Sequence, residues 1–156
     1  MKQQLGQKII VSNRKAYYDY FLSDFSEAGL VLTGTEIKSI RQGGASLMDC
    51  YVLIRDGEVF LLNMHIAPYD KGSNFNHDPR RTRKLLLHKH EIIKLGSKVH
   101  ERGFTIIPTK VYFSKGRVKM EIALAKAKQK YDKRETIKKR DDQRMMNKAK
   151  KGNRDE

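Results

Sequence analysis

Arg80, Arg81, Arg83 and Lys84 place four cations within five residues, and His65, His77, His88, His90 and His100 are the chain's five histidines. Cations this close repel one another unless an anion spreads between them, which a nucleic-acid backbone would do. The bland alternative is a solvated basic loop. The histidines could in principle supply the general acid and base of RNA cleavage. His88 and His90 are the closest pair, but on a helix they point about 200° apart, so shared chemistry or a shared metal requires an extended segment. Asp19 and Asp24 would likewise lie about 140° apart on a helix. The sequence has no Gly-x-x-x-x-Gly-Lys-Ser/Thr cradle, no Gly-x-Ser-x-Gly elbow and one cysteine, Cys50, which suits a small buried side chain. Binding is therefore expected rather than catalysis, with no metal and no cofactor.

Charge says what would be bound. The 33 Lys and Arg against 18 Asp and Glu leave a formal +15, a field that attracts polyanions, nucleic acid first among them. An anionic membrane surface is the other partner such charge could meet. No apolar run approaches the ~20 residues of a membrane span, and the opening MKQQLGQKIIV lacks the apolar core of a signal peptide. No membrane partner and a cytoplasmic location are expected. The charge is shared by two regions. Residues 126–156 carry thirteen Lys and Arg and six Asp and Glu, with too few apolar residues for a core. This basic C-terminal tail reads as disordered when free, yet rich in helix formers, so it can become helical on a partner. Residues 1–125 read as one compact body, long enough to bury roughly two thirds of its unfolded surface.

The binding residues must be positioned by short elements. Ser12 or Asn13 caps a helix over NRKAYYDYFL, where Ala16, Tyr17, Tyr20 and Phe21 form one apolar face. Arg14 and Lys15 in its first turn are poorly placed for the helix dipole and so available to an external anion. Phe25 to Leu32 reads as a strand in which Gly29 marks a bulge or a close backbone approach. Thr35 then caps a helix with Glu36 in its first turn, Ile37 and Ile40 inward, and Lys38 and Arg41 outward. Tyr51 to Ile54 and Val59 to Leu62, joined at Asp56-Gly57, form a hairpin with a type I′ turn. Residues 63–84, broken by Pro68, Gly72, Asn74, Asn76 and Pro79, read as a long loop. From Lys89 a helix aligns Ile92, Leu95 and Val99 before Gly103. Phe104 to Phe113 is a strand in which Pro108 indicates an edge or a bulge. Ser114-Lys115-Gly116 turns it into Arg117 to Leu124, with Val118, Met120, Ile122 and Leu124 inward and Lys119 an exposed cation on a rigid strand. These short antiparallel strands make the chain mainly β, and a small OB-type β-barrel with helices is one such architecture used on RNA.

Five motifs occur in order: Asn13-Arg14-Lys15-Ala16; Glu27-Ala28-Gly29-Leu30 through Gly34-Thr35-Glu36-Ile37-Lys38-Ser39; Tyr51-Val52-Leu53 with Arg55-Asp56-Gly57; Arg81 to Leu87; and Tyr131-Asp132-Lys133-Arg134. In these the chain resembles the small protein B family, the SsrA-binding proteins of bacterial trans-translation. The resemblance implies an OB-like six-stranded antiparallel barrel with three short helices and a basic C-terminal tail. It implies an RNA-binding adaptor that takes the tRNA-like domain of transfer-messenger RNA to stalled ribosomes. Elongation factor Tu and alanyl-tRNA synthetase would then be partners through the shared RNA. The family's RNA-contacting positions fall on Asn13, Glu27, Leu86 and Lys119, with Lys126 a further one. To these the charge reading adds Arg14, Lys38, Arg80, Arg81, Arg83 and Lys84. Asn13 could equally serve only as a helix cap, and Leu86 only as core. The tail, through Tyr131, Asp132, Lys133, Arg134, Ile137, Lys138 and Arg140, would enter the empty mRNA channel beside the small-subunit decoding centre. Ala127 stands where the family commonly has Gly, which stiffens the hinge. The rival reading is a general RNA-binding or ribosome-associated protein of the same barrel class.

Overall fold

The computed structural model describes residues 7–69, 76–101 and 103–152, so Gly72 and Asn74 of the expected loop lie outside the described residues. The elements in order are β1 (Gln7–Ser12), α1 (Arg14–Asp19), β2 (Tyr20–Leu30), α2 (Gly34–Arg41), β3 (Ala45–Ser46), β4 (Tyr51–Arg55), β5 (Glu58–Leu62), β6 (His65–Ile66), β7 (Arg83–Leu86), α3 (Lys89–Val99), β8 (Phe104–Ser114), β9 (Arg117–Ala127) and α4 (Lys130–Gly152). Seven strands form one antiparallel sheet in the order β1-β8-β4-β5-β7-β2-β9, with β8 also paired to β9. β3 and β6 pair separately. The architecture is thus mainly β, a large antiparallel sheet with a few helices. The main sheet has one strand more than the six expected, because β1 lies along β8, the β3–β6 pair adds two more strands, and α4 stands as a fourth helix.

Turn chemistry and alternation explain the two main hairpins. Asp56 (φ 51°) and Gly57 (φ 75°) both take the positive φ of a type I′ turn between β4 and β5. Lys115 (φ 51°) and Gly116 (φ 76°) do the same between β8 and β9. Val118, Met120, Ile122 and Leu124 of β9 face inward and meet Val52, Leu61, Ile106 and Val111, with Leu95 of α3 and Ile40 of α2 in the same core. Period-two burial of this kind is what fastens the strand register.

Several local expectations give way to tertiary partners. The first helix stops at Asp19, and Tyr20 and Phe21 instead open β2, paired with Ala127 and Lys126 of β9. A six-residue helix gains little by propagating, whereas a strand ladder satisfies each backbone group it adds. Gly29 is not at a bulge; the bulge in β2 lies between Ser23 and Ser26, where Asp24 takes φ 50°. The close neighbour of Gly29 is a side chain, not a backbone: a Cβ there would stand 3.3 Å from Cβ of Leu86. α2 is capped by Thr33 rather than Thr35. Thr33 Oγ1 accepts from the Glu36 amide and the Glu36 carboxylate accepts from the Thr33 amide at 2.8 Å, a capping box. Of the two positions expected for Pro108, an edge or a bulge, the structure shows the bulge, within a strand flanked on both sides. The expected loop over residues 63–84 includes β6, and its last cations already belong to β7. β9 runs through Ala127, so the body continues past residue 125.

Candidate nucleic-acid interface

Strand register brings Glu27, Leu86 and Lys119 together. β2 lies between β7 and β9, with Gly29 opposite Leu86 on one side and opposite Lys119 on the other, and Glu27 two residues back along the same strand. The three line one groove of about 540 Å³, with Leu30, Ile37 and Arg117 among its walls. Gly29 keeps it open, since any side chain there would press on Leu86. Leu86 is 55 % exposed, a groove wall rather than core. The Glu27 carboxylate accepts a hydrogen bond from the Tyr112 hydroxyl and lies 3.7 Å from Lys119 Nζ. Lys119 is therefore half-buried and paired, not the free cation its strand position suggested. Burial, reinforced by the bond to Glu27 and that residue's charge, pushes the Tyr112 phenol well above its ordinary range, so it stays a donor.

The basic string divides. Arg83 is fully enclosed: its Nε donates to Glu36, Nη1 to the Met64 carbonyl at 2.6 Å and Nη2 to the Pro79 carbonyl at 3.2 Å. Arg81 Nη2 donates to the other Glu36 oxygen at 2.7 Å. The anion spread between these cations is thus a carboxylate of the protein, and Arg83 has no surface to offer an RNA. Burial pushes the Glu36 carboxyl up, but hydrogen bonds from Arg81, the Thr33 amide and Arg83, with the Arg83 charge, outweigh it and hold the group below its ordinary value. Burial lowers Arg83 from its usual value against the pull of Glu36. Arg80 remains exposed, and Lys84 points outward from β7 to Glu58 at 3.1 Å.

Asn13 lies away from the groove, and its amide is used internally: Nδ2 donates to the Pro108 carbonyl at 3.0 Å and Oδ1 accepts from the Ala16 amide at 3.2 Å. Arg14 beside it is exposed, as are Lys38, 5.5 Å from the Tyr69 ring centroid, and Lys126, 5.7 Å from that of Phe104. Tyr112 and Arg117 were missed by sequence reasoning. Tyr112 could have been found by counting back from the Lys115-Gly116 turn, since it pairs with Lys119 across that hairpin.

The histidines are accounted for differently. His77 is buried, with Nε2 donating to the Ile66 carbonyl at 2.9 Å and Nδ1 bonded to Thr35 Oγ1 at 2.9 Å. His88 is not helical but the extended N-cap of α3, and this brings its ring parallel to that of His90, centroids 5.6 Å apart, where a helix would have splayed them. No group of three His, Cys, Asp or Glu among the described residues is placed to hold a metal. Burial pushes the Cys50 thiol up to about 12, keeping it protonated in the core.

α4 is joined to the body at α1. The Lys128 amide donates to the Asp19 carbonyl at 2.8 Å, and Lys133 Nζ stands 3.3 Å from the Asp19 carboxylate. Lys128 Nζ donates to Thr136 Oγ1 at 2.7 Å and to the Tyr17 carbonyl at 3.3 Å, and Asp132 accepts from the Gln129 amide at 3.1 Å. Asp132 and Lys133 are thus engaged at the elbow, whereas Tyr131, Arg134, Ile137, Lys138 and Arg140 project outward. No helix among the described residues is long and apolar enough to cross a membrane.

A family model described as SmpB protein matches residues 10–152. The SsrA-binding protein of Trichodesmium erythraeum is 57% identical over 145 residues, covering 92% of this chain and 93% of that protein. Those of Geobacter metallireducens and Persephonella marina are 53% and 55% identical, covering 93% and 95% of this chain and 95% and 97% of their own. A solved chain described as "tmRNA-SmpB: a journey to the center of the bacterial ribosome" is similar with a TM-score of 0.66 and 44% identity, over 81% of this chain and 93% of that one.

Proposed function

The chain belongs to the SmpB protein family, and we propose that it is an RNA-binding adaptor, not an enzyme, that binds transfer-messenger RNA and acts with it on stalled ribosomes in trans-translation. The observation that carries this reading is the groove in which Glu27, Leu86 and Lys119 meet. Each has a role that suits an irregular RNA surface. Leu86 packs on an unstacked base or sugar, Glu27 accepts from a base donor or a 2′-hydroxyl, and Lys119 meets phosphate. Arg14, Lys38, Arg80, Lys84 and Lys126 add exposed positive charge for the RNA backbone. The RNA element taken is its tRNA-like domain, which the same reading shares with elongation factor Tu and alanyl-tRNA synthetase, in the cytoplasm. Pairing of β8 with both β4 and β9, at the two ends of the run β4-β5-β7-β2-β9, supports a closed six-stranded barrel of the OB type.

The outward residues of α4 serve the ribosome: Tyr131 stacks on a base near the decoding centre, while Arg134, Lys138 and Arg140 pair with phosphates along the empty mRNA channel. Removing residues 130–156, beyond the last strand of the body, separates the two parts. The shortened protein is expected to retain transfer-messenger RNA binding and to lose tagging of stalled peptides. Loss of RNA binding instead would overturn the division. A general RNA binder, the rival reading, would be displaced by bulk tRNA as readily as by unlabelled transfer-messenger RNA.

A further inference from the structure

Tyr112 is only 3% exposed, yet its hydroxyl reaches the one carboxylate in the groove. It therefore cannot touch an RNA itself, but it governs a group that can. A carboxylate beside a phosphate backbone is repelled unless it accepts a hydrogen bond from the ligand. Glu27 is half-exposed on a flexible stem, and left alone it would sample many rotamers. Here Oε2 is taken by Tyr112 and Oε1 stands 3.7 Å from Lys119. Behind the tyrosine, Lys110 lies 5.7 Å from its ring centroid and 4.0 Å from Glu121, which accepts from Thr109 Oγ1 at 2.6 Å, so the phenol is itself held in place.

Taking Glu27 as RNA-facing, which rests on the function proposed above, we propose that Tyr112 is a positioning residue: by occupying Oε2 it turns Oε1 of Glu27, beside Lys119, into the groove as the acceptor left for a ligand. The position thereby selects a nucleotide donor, an amino group, a ring N–H or a 2′-hydroxyl, and rejects a bare phosphate oxygen. The gain is preorganisation, since the carboxylate does not have to be ordered when RNA arrives.

The test is a titration of the full-length wild-type chain, Tyr112→Phe, Glu27→Gln and the double variant with transfer-messenger RNA, each checked by its melting midpoint to be folded at the assay temperature. Tyr112→Phe is expected to weaken binding about tenfold, the scale of one hydrogen bond to a charged group. Glu27→Gln is expected to weaken it further, because Tyr112 will hold the amide oxygen and turn the NH2 towards the RNA donor. Adding Tyr112→Phe to Glu27→Gln then frees the amide to flip and should restore part of the affinity, so the effect of the same substitution changes sign. A tyrosine that only packs the barrel would cost the same in both backgrounds, and that result, or no loss from Tyr112→Phe alone, overturns the proposal. Wild-type protein that fails to bind transfer-messenger RNA would overturn the functional reading itself, and this inference with it.

Discussion

In the groove, the carboxylate has partners before any ligand arrives: Glu27 is held by Tyr112 and Lys119, and behind the wall Glu36 gathers Arg81 and Arg83. Along α4 the same residue types are mostly exposed to solvent, and the polar contacts that tie the helix to the body lie at its start, through Asp19, Tyr17 and Lys128. The difference follows from what each region can bury. The body closes an apolar core over its strands, so its polar groups are forced into defined pairs. The tail has no such core to enforce geometry, and its helix draws on propensity, the elbow contacts and whatever partner it meets. The proposed function uses this difference: the body reads a shape already set, and the tail is completed by its target.

The largest expected break in that contrast is Glu36→Ala. It strands the enclosed Arg83 without a counter-charge, a loss of about 3–5 kcal/mol. Urea unfolding followed by tyrosine near-ultraviolet circular dichroism should show it in the body, whereas a shift below ~1 kcal/mol would mean that Glu36 does not hold the buried arginine in place.

Acid sharpens the same point with a smaller effect. The Glu36 carboxyl lies below its ordinary value of 4.5 in the folded chain, so its stabilising contribution is complete above that value and is lost as pH falls through the lower, folded one. Body stability should therefore fall at the acid end, and Glu36→Gln should flatten that part of the pH profile. An unchanged slope in the variant would assign acid sensitivity elsewhere.

The smallest effect belongs to the elbow. Asp19→Asn weakens a partly exposed pair with Lys133, so body stability should move by less than ~1 kcal/mol. Hydrogen exchange over α4 should quicken while the strands keep their protection. Equal changes in both regions would erase the distinction between them.

Legibility in the sequence followed the range of the interaction. Asp56-Gly57, Lys115-Gly116 and the alternation from Val118 to Leu124 are local, and each was readable because turn type and period need no distant partner. The motif resemblance named Glu27, Leu86 and Lys119, but their meeting depends on the register of β2 against two other strands. Arg83 was misassigned as an RNA-facing cation for a related reason. A basic string looks the same whether it is solvated or neutralised by Glu36, 47 residues earlier. Tyr20 and Phe21 suited a helix by spacing and became strand only because the far end of β9 lies beside them.

The central claim is that the body reads one RNA by shape and is not merely attracted by charge. The affinity of the full chain for transfer-messenger RNA, compared with an unrelated structured RNA of equal length across a salt series, tests it most directly. The groove predicts a preference that persists as salt rises and the shared electrostatic attraction fades. Two affinities that are equal and collapse together would contradict it, leaving the formal +15 as the whole basis of binding.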